Sequence, residues 1–211
     1  MISSKVTPEE ALRILQEGND RYSKDQPEFP NLTRERRVFT AQTGQKPFAV
    51  VLSCSDSRVP VGMIFDRGVG DIFVVRVAGN VVGASELASI EYAVEQLGTL
   101  LVIVMGHSCC GAVKAVVDHG LLPGNLASLS EKIIRSVDKV SREEPGVLPE
   151  QLLHKAVEEN VWHSIEDILT GSKEVRDRVT TGHVKVLGAL YSTDTGKVDW
   201  LGKHRDQDRY L

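Results

Sequence analysis

Residues 48–58 read Phe48-Ala49-Val50-Val51-Leu52-Ser53-Cys54-Ser55-Asp56-Ser57-Arg58. Five apolar residues in a row, with no polar alternation, mark a strand covered on both faces. The polar run that follows starts where such a strand would emerge from its sheet. The same pattern recurs at Ile72-Phe73-Val74-Val75, at Leu100–Met105 and at His183–Tyr191.

Helical spacing fills the gaps between these runs. From Ser85 to Leu97 the apolar residues fall at 87, 88, 90, 93, 94 and 97, and 112–119, 126–142 and 150–169 also read as helices. Buried strands alternating with helices predict an α/β fold. We expect a mainly parallel central sheet of about four strands flanked by helices. The turn Asp194-Thr195-Gly196 then leads into Lys197–Leu201, expected as a short antiparallel edge strand.

Upstream, Thr7-Pro8-Glu9-Glu10 is a helix start: Thr7 caps, Pro8 suits the first helical position, and the acids favour the positive end of the dipole. Ala11, Leu12 and Leu15 continue the stripe, which the sequence suggests ends near Gly18. Residues 23–32, with Pro27 and Pro30, read as an extended connection, so an N-terminal helix and arm are expected over 1–40. A core with a C-terminal tail is expected over 41–211, the whole forming one domain.

The chain of 211 residues is 41% apolar and 26% charged, which excludes a disordered chain, collagen and a small disulfide scaffold. Its net charge of −4 gives no basic excess for phosphate backbones, so no nucleic-acid partner is expected. Its apolar runs fall far short of the ~20 residues that cross a bilayer, so no membrane partner is expected. Three cysteines, two of them adjacent, are a poor disulfide framework and fit a reducing compartment. The first residues show no basic stretch followed by an apolar one, so no secretory signal is read. A cytoplasmic location is expected, with an organelle after removal of a transit peptide as the alternative. A nucleotide-binding P-loop is excluded, since no GxxxxGK[ST] occurs.

In open α/β sheets chemistry collects at the carboxyl ends of strands. After the first strand stands Ser53–Pro60; after the third stands Gly106-His107-Ser108-Cys109-Cys110-Gly111. If those strands are neighbours, Cys54, His107 and Cys110 converge. Two thiolates and one imidazole form a zinc donor set with a fourth position open, the pattern of a catalytic rather than a closed site. Cys110 also sits at a helix start, which favours its thiolate. A buried cysteine and a core histidine explain the same residues without metal. Asp56 either completes a tetrahedron as a fourth ligand or pairs with Arg58, whose fork suits a carboxylate. Extended backbone would place Cys54, Asp56 and Arg58 on one face. An ordinary strand-end salt bridge is the other reading of the pair.

Cys54-Ser-Asp56-Ser-Arg58-Val together with Gly106-His107-Ser-Cys-Cys110-Gly111 resembles the β-class carbonic anhydrases. Gly70–Arg76, Ala78-Gly79-Asn80 and Ile90–Val94 are also similar to that family, and the likeness extends over about residues 8–200. The resemblance implies zinc held by Cys54, His107 and Cys110, with water or hydroxide as the fourth ligand. It implies an Asp56–Arg58 dyad that orients the hydroxide. It implies a substrate site using Gln45, Phe73, Tyr92 and the backbone of Gly111, partly across a dimer interface. The expected activity is zinc-dependent reversible hydration of carbon dioxide to bicarbonate and a proton, by a homodimer or homotetramer. Hydrolysis of carbon disulfide or carbonyl sulfide on the same scaffold is the alternative, and a non-catalytic module with structural zinc is a third reading.

Some positions depart from the family pattern. Val77 stands where many members carry Asn, and Cys109 reads as a spare small residue. A subset of members has an inhibitory bicarbonate site built on a Trp three residues before the first ligand; here that position is Val51, so an open, constitutively active form is expected. Two thiolates make zinc a weaker acid than three histidines would, so activity is expected to rise through an apparent pKa above about 7. His119, His154, His163 and His183 read as surface or core residues before proton relays. Arg34, Arg36 and Arg37 read as a solvated face or subunit contact, 204–209 as an exposed tail, and Trp162 and Trp200 as packing anchors.

Overall fold

The computed structural model describes residues 6–211. Residues 1–5, which begin the stretch 1–8 on which the signal-peptide reading rests, lie outside the described residues. The elements run α1 (Pro8–Ser23), α2 (Arg34–Thr43), β1 (Ala49–Ser53), α3 (Val61–Ile64), β2 (Ile72–Arg76) and α4 (Ala84–Glu91). They continue with β3 (Leu101–His107), α5 (Gly111–His119), α6 (Ala127–Glu143), α7 (Pro149–Gly171), α8 (Lys173–Thr180), β4 (Lys185–Tyr191) and β5 (Val198–Gly202).

The sheet has the order β2-β1-β3-β4-β5, with the first four strands parallel and β5 antiparallel to β4. This is the expected architecture. Every residue of β1 and β3 is buried, because successive side chains enter opposite cores. Ala49, Val51, Leu101, Ile103 and Met105 pack with Ala11 and Leu15 of α1 and with Phe65. Val50, Leu52, Val102 and Val104 pack on the other face with Ile165, Ile168 and Leu169 of α7. Each fully buried Leu or Ile of these layers contributes about 1.5–3 kcal/mol.

Thr7 caps α1 by accepting from the Glu10 N–H at 3.2 Å, with Pro8 first in the helix. The helix does not end at Gly18 but runs to Ser23. Gly18 is buried, and a Cβ there would collide with the carbonyl of Phe65. Its role is close approach, not termination.

Residues 24–33 are not uniformly extended: Asp25, Phe29 and Asn31 take positive φ. The following helix α2 was not foreseen and runs across residue 40. Its Arg36 is not free in solvent; it donates to the Val69 carbonyl at 2.8 Å and to Asp71 at 3.2 Å. The helix read over 85–97 is α4 followed by a wider π turn, Tyr92–Gln96. The short helix α3 and helix α8 were also not foreseen. The C-terminal run is docked rather than exposed at its start. His204 is buried, edge-on to Trp162 and Tyr210, and the Tyr210 hydroxyl donates to Glu166 at 2.6 Å. Trp200 packs on Phe65 with ring centroids 5.9 Å apart, so both tryptophans are anchors as read. No helix among the described residues is long and apolar enough to cross a membrane.

Candidate active site

β1 and β3 are adjacent and parallel, so their carboxyl ends open at one edge of the sheet. Cys54 follows the last residue of β1, His107 is the last residue of β3, and Cys110 caps the start of α5. All three are buried, and their donor atoms lie within 4.8 Å of one another. The sulfurs of Cys54 and Cys110 are 4.0 Å apart, and all three cysteines are free thiols.

His107 is fully buried. Its Nδ1 lies 2.9 Å from the Ser108 carbonyl. A carbonyl only accepts, so Nδ1 carries the proton and Nε2 keeps a lone pair. That Nε2 is buried without a hydrogen-bond partner. An orphaned imidazole nitrogen beside two sulfurs is the soft, tetrahedral donor set that suits zinc. The contact from Cys110 holds the Cys54 thiol down at about 4, while the same contact and burial push Cys110 up. Two sulfurs this close share one proton, and a divalent cation lets both be thiolates.

The loop after β1 is not extended as the alternation of Cys54, Asp56 and Arg58 suggested. It turns at Ser57–Arg58, and the Arg58 N–H donates to Asp56 Oδ1 at 2.9 Å. This side-chain-to-backbone turn folds Arg58 back onto Asp56. Nε then meets Oδ1 at 3.0 Å and Nη2 meets Oδ2 at 2.8 Å. The Arg58 guanidinium beside Asp56 holds its carboxyl well below the usual carboxylate range. Asp56 Oδ2 stands 3.9 Å from His107 Nε2, at the mouth of the donor cluster.

The same Arg58 Nη2 donates to the Cys109 carbonyl at 3.1 Å and so ties the two loops together. Cys109 itself is exposed, and its φ of 54° turns the chain between His107 and Cys110. Sequence reasoning assigned no part to Arg76. From the end of β2 it donates to the carbonyls of Cys54 at 3.1 Å and Asp56 at 2.6 Å. An arginine ending a strand beside the first motif was the available signal.

Gly111 is exposed at the start of α5, next to the cluster. The other substrate residues stand apart from it within one chain. Gln45 precedes the amino end of β1, the end away from Cys54, and lines a cavity of about 620 Å³ with Phe39, Lys46 and Leu97. Phe73 is in register with Val50, and its ring lies 6.0 Å from that of Tyr92, which is 48% exposed. His119, His154 and His183 are exposed, while half-buried His163 bonds Ser136 at 2.8 Å.

Comparison with known proteins gives the family of the chain. The family described as "Carbonic anhydrase" matches residues 49–198. Carbonic anhydrase 2 of Mycobacterium tuberculosis is 35% identical over 201 residues, covering 91% of this chain and 92% of that one. The carbonic anhydrase of Mycolicibacterium smegmatis is 36% identical over 203 residues, with 91% and 92% covered. A β-carbonic anhydrase from Sordaria macrospora, described as tetrameric, superposes with a TM-score of 0.73 at 25% identity, covering 80% of this chain and 87% of that one. The chain belongs to the β-class carbonic anhydrases. Like the relatives it matches over almost their whole length, it is an enzyme, a carbonic anhydrase.

Proposed function

We propose that this chain catalyses the reversible hydration of carbon dioxide to bicarbonate and a proton, with zinc held by Cys54 Sγ, His107 Nε2 and Cys110 Sγ. The observation that carries the reading is the unpartnered, buried Nε2 of His107 facing two sulfurs beside an arginine-held carboxylate. Bound there, zinc is a Lewis acid that brings the pKa of water from roughly 15.7 toward about 7.

The chain's own residues supply orientation. Asp56, kept ionised by Arg58, offers an acceptor-only oxygen at the mouth of the cluster. An attacking O–H placed there points its hydrogen at Oδ2 and its lone pair at the substrate carbon. Arg58 also keeps Asp56 from swinging into the cluster, because leaving would break two charge-assisted hydrogen bonds. This supports the open form expected from Val51. The Gly111 N–H, at the positive end of α5, suits a developing oxyanion.

Gln45, Phe73 and Tyr92 reach a site of this kind only when a second copy of the chain supplies them. Three features favour such a dimer: β2 is an edge strand with exposed Val74, α2 buries no residue, and Val38 and Phe39 stand out of it. We read the working unit as a homodimer or a pair of dimers, and its location as cytoplasmic, where free thiols persist.

Stopped-flow carbon dioxide hydration on metal-quantified protein at mildly alkaline pH, with a zinc-stripped control, tests the reading. A fast rate that disappears with zinc and returns on its addition is expected. One bound zinc per chain with no hydration overturns it.

A further inference from the structure

Beyond the loops that carry Cys54, His107 and Cys110, helix α7 reaches the cluster through the turn Ala78–Asn80. Asn160 is 1% exposed, and its Nδ2 donates to the Gly79 carbonyl at 2.7 Å. One helical turn on, the buried Ser164 hydroxyl donates to the Asn80 carbonyl at 2.9 Å. Two successive carbonyls of one turn are thus gripped from one helix face.

That turn holds an unusual conformation. Gly79 has φ 76° and Asn80 has φ 44°, two left-handed residues in sequence. A Cβ on Gly79 would meet Ile133 Cδ1 at 2.8 Å. A turn of this shape persists only where its surroundings hold it. Its consequence is that the Gly79 N–H donates to Cys54 Sγ at 3.3 Å.

We propose that Asn160 is a positioning residue for the metal centre: by holding the Gly79 carbonyl it aims the Gly79 N–H at Cys54 Sγ and tempers that sulfur's donation to the metal. The inference deepens the proposed function and rests on Cys54 as a ligand. An N–H···S bond stabilises the sulfur lone pairs, and partners of this outer kind tune metal affinity about 10- to 100-fold. Removing it raises the energy of those lone pairs, so a sulfur-to-metal charge-transfer band moves to longer wavelength.

The experiment uses the full chain with cobalt(II) in place of zinc and reads the sulfur-to-cobalt band, with zinc competition against a chelator as a second readout. Asn160→Leu is expected to shift the band to longer wavelength and, because the turn no longer holds Cys54 Sγ in place, to weaken zinc binding about 10-fold or more despite the stronger sulfur donor. Ser136→Ala removes a buried hydrogen bond between α6 and α7 without touching the turn, so it controls for stability alone. It is expected to lower Tm and leave the band in place. An unmoved band in metal-loaded Asn160→Leu overturns the proposal. If that variant does not fold, Ser164→Ala, which frees only the adjacent carbonyl, decides: a smaller shift in the same direction supports it and no shift overturns it. A parent chain that binds cobalt without any sulfur band overturns both this inference and the proposed ligand set.

Discussion

Arg58 and Asp56 are joined three times: the Arg58 guanidinium grips the carboxylate at 3.0 and 2.8 Å, and the Arg58 backbone N–H donates to the same carboxylate at 2.9 Å. The side chain is held by the turn that carries it. Asp56 is therefore fixed as an acceptor, and Arg58→Leu should release it toward the metal. We expect zinc to be retained and kcat to fall by roughly 10²-fold, the scale of one lost orienting or acid–base group. Asp56→Asn should also keep zinc and lose activity on that scale, because an amide offers donors where the site needs an acceptor. Full activity in Asp56→Asn removes the residue from the mechanism.

Cys54→Ser tests the donor set. A serine hydroxyl stays protonated near neutral pH and is a poor zinc ligand. Metal content well below one zinc per chain is expected, with hydration lost in proportion. A variant that folds, lacks zinc and keeps its rate would sink the metal reading.

Asp66, like Asp56, is expected to contribute to acid sensitivity. Its carboxylate is fully buried and accepts from Arg21 Nε at 2.7 Å and from the Glu28 and Phe29 N–H groups at 3.0 and 2.9 Å. Burial raises its pKa, but these bonds outweigh burial and leave it lowered. Above about pH 4 both folded and unfolded chains carry the charge, and the full contribution is present. As pH falls below that value the unfolded chain takes up a proton first, and stability is lost. Asp66→Asn should cost about 3 kcal/mol and flatten the acid limb of a urea midpoint against pH. An unchanged limb would reassign the acid transition to another carboxylate.

Gly18→Ala sets helix preference against packing. Alanine favours a helix interior by ~1 kcal/mol over glycine. The collision of its Cβ with the Phe65 carbonyl should win, with a net loss of about 1–3 kcal/mol. A raised Tm in that variant would show that α1 can move away from Phe65 at no cost.

The proposed dimer through the β2 edge predicts that Val74→Lys halves the mass seen by light scattering. Activity should fall with it, because Gln45, Phe73 and Tyr92 would no longer reach a neighbour's cluster. An active monomer would mean that one chain completes its own site.

Much of this protein was determined by sequence alone. Strands β1 and β3 are buried on both faces, so their apolar runs are local and continuous, and the motifs stand where those runs stop. The order of the two motifs then brought Cys54, His107 and Cys110 together as soon as the strands proved to be neighbours. Other features depended on contacts between residues far apart in the chain. Helix α2 shows no apolar stripe because it buries nothing in its own chain, and only the Thr33 cap, accepting from the Arg36 N–H at 3.2 Å, announced it. The fate of Gly18 was set by Phe65, and that of the C-terminal run by Trp162 and Glu166. Even the Asp56–Arg58 pair, evident as composition, took its geometry from a turn that Arg76 and the Cys109 carbonyl hold in place. Periodicity reports what a segment buries. Which distant group a turn, a glycine or a charge will meet is decided only when the chain has folded.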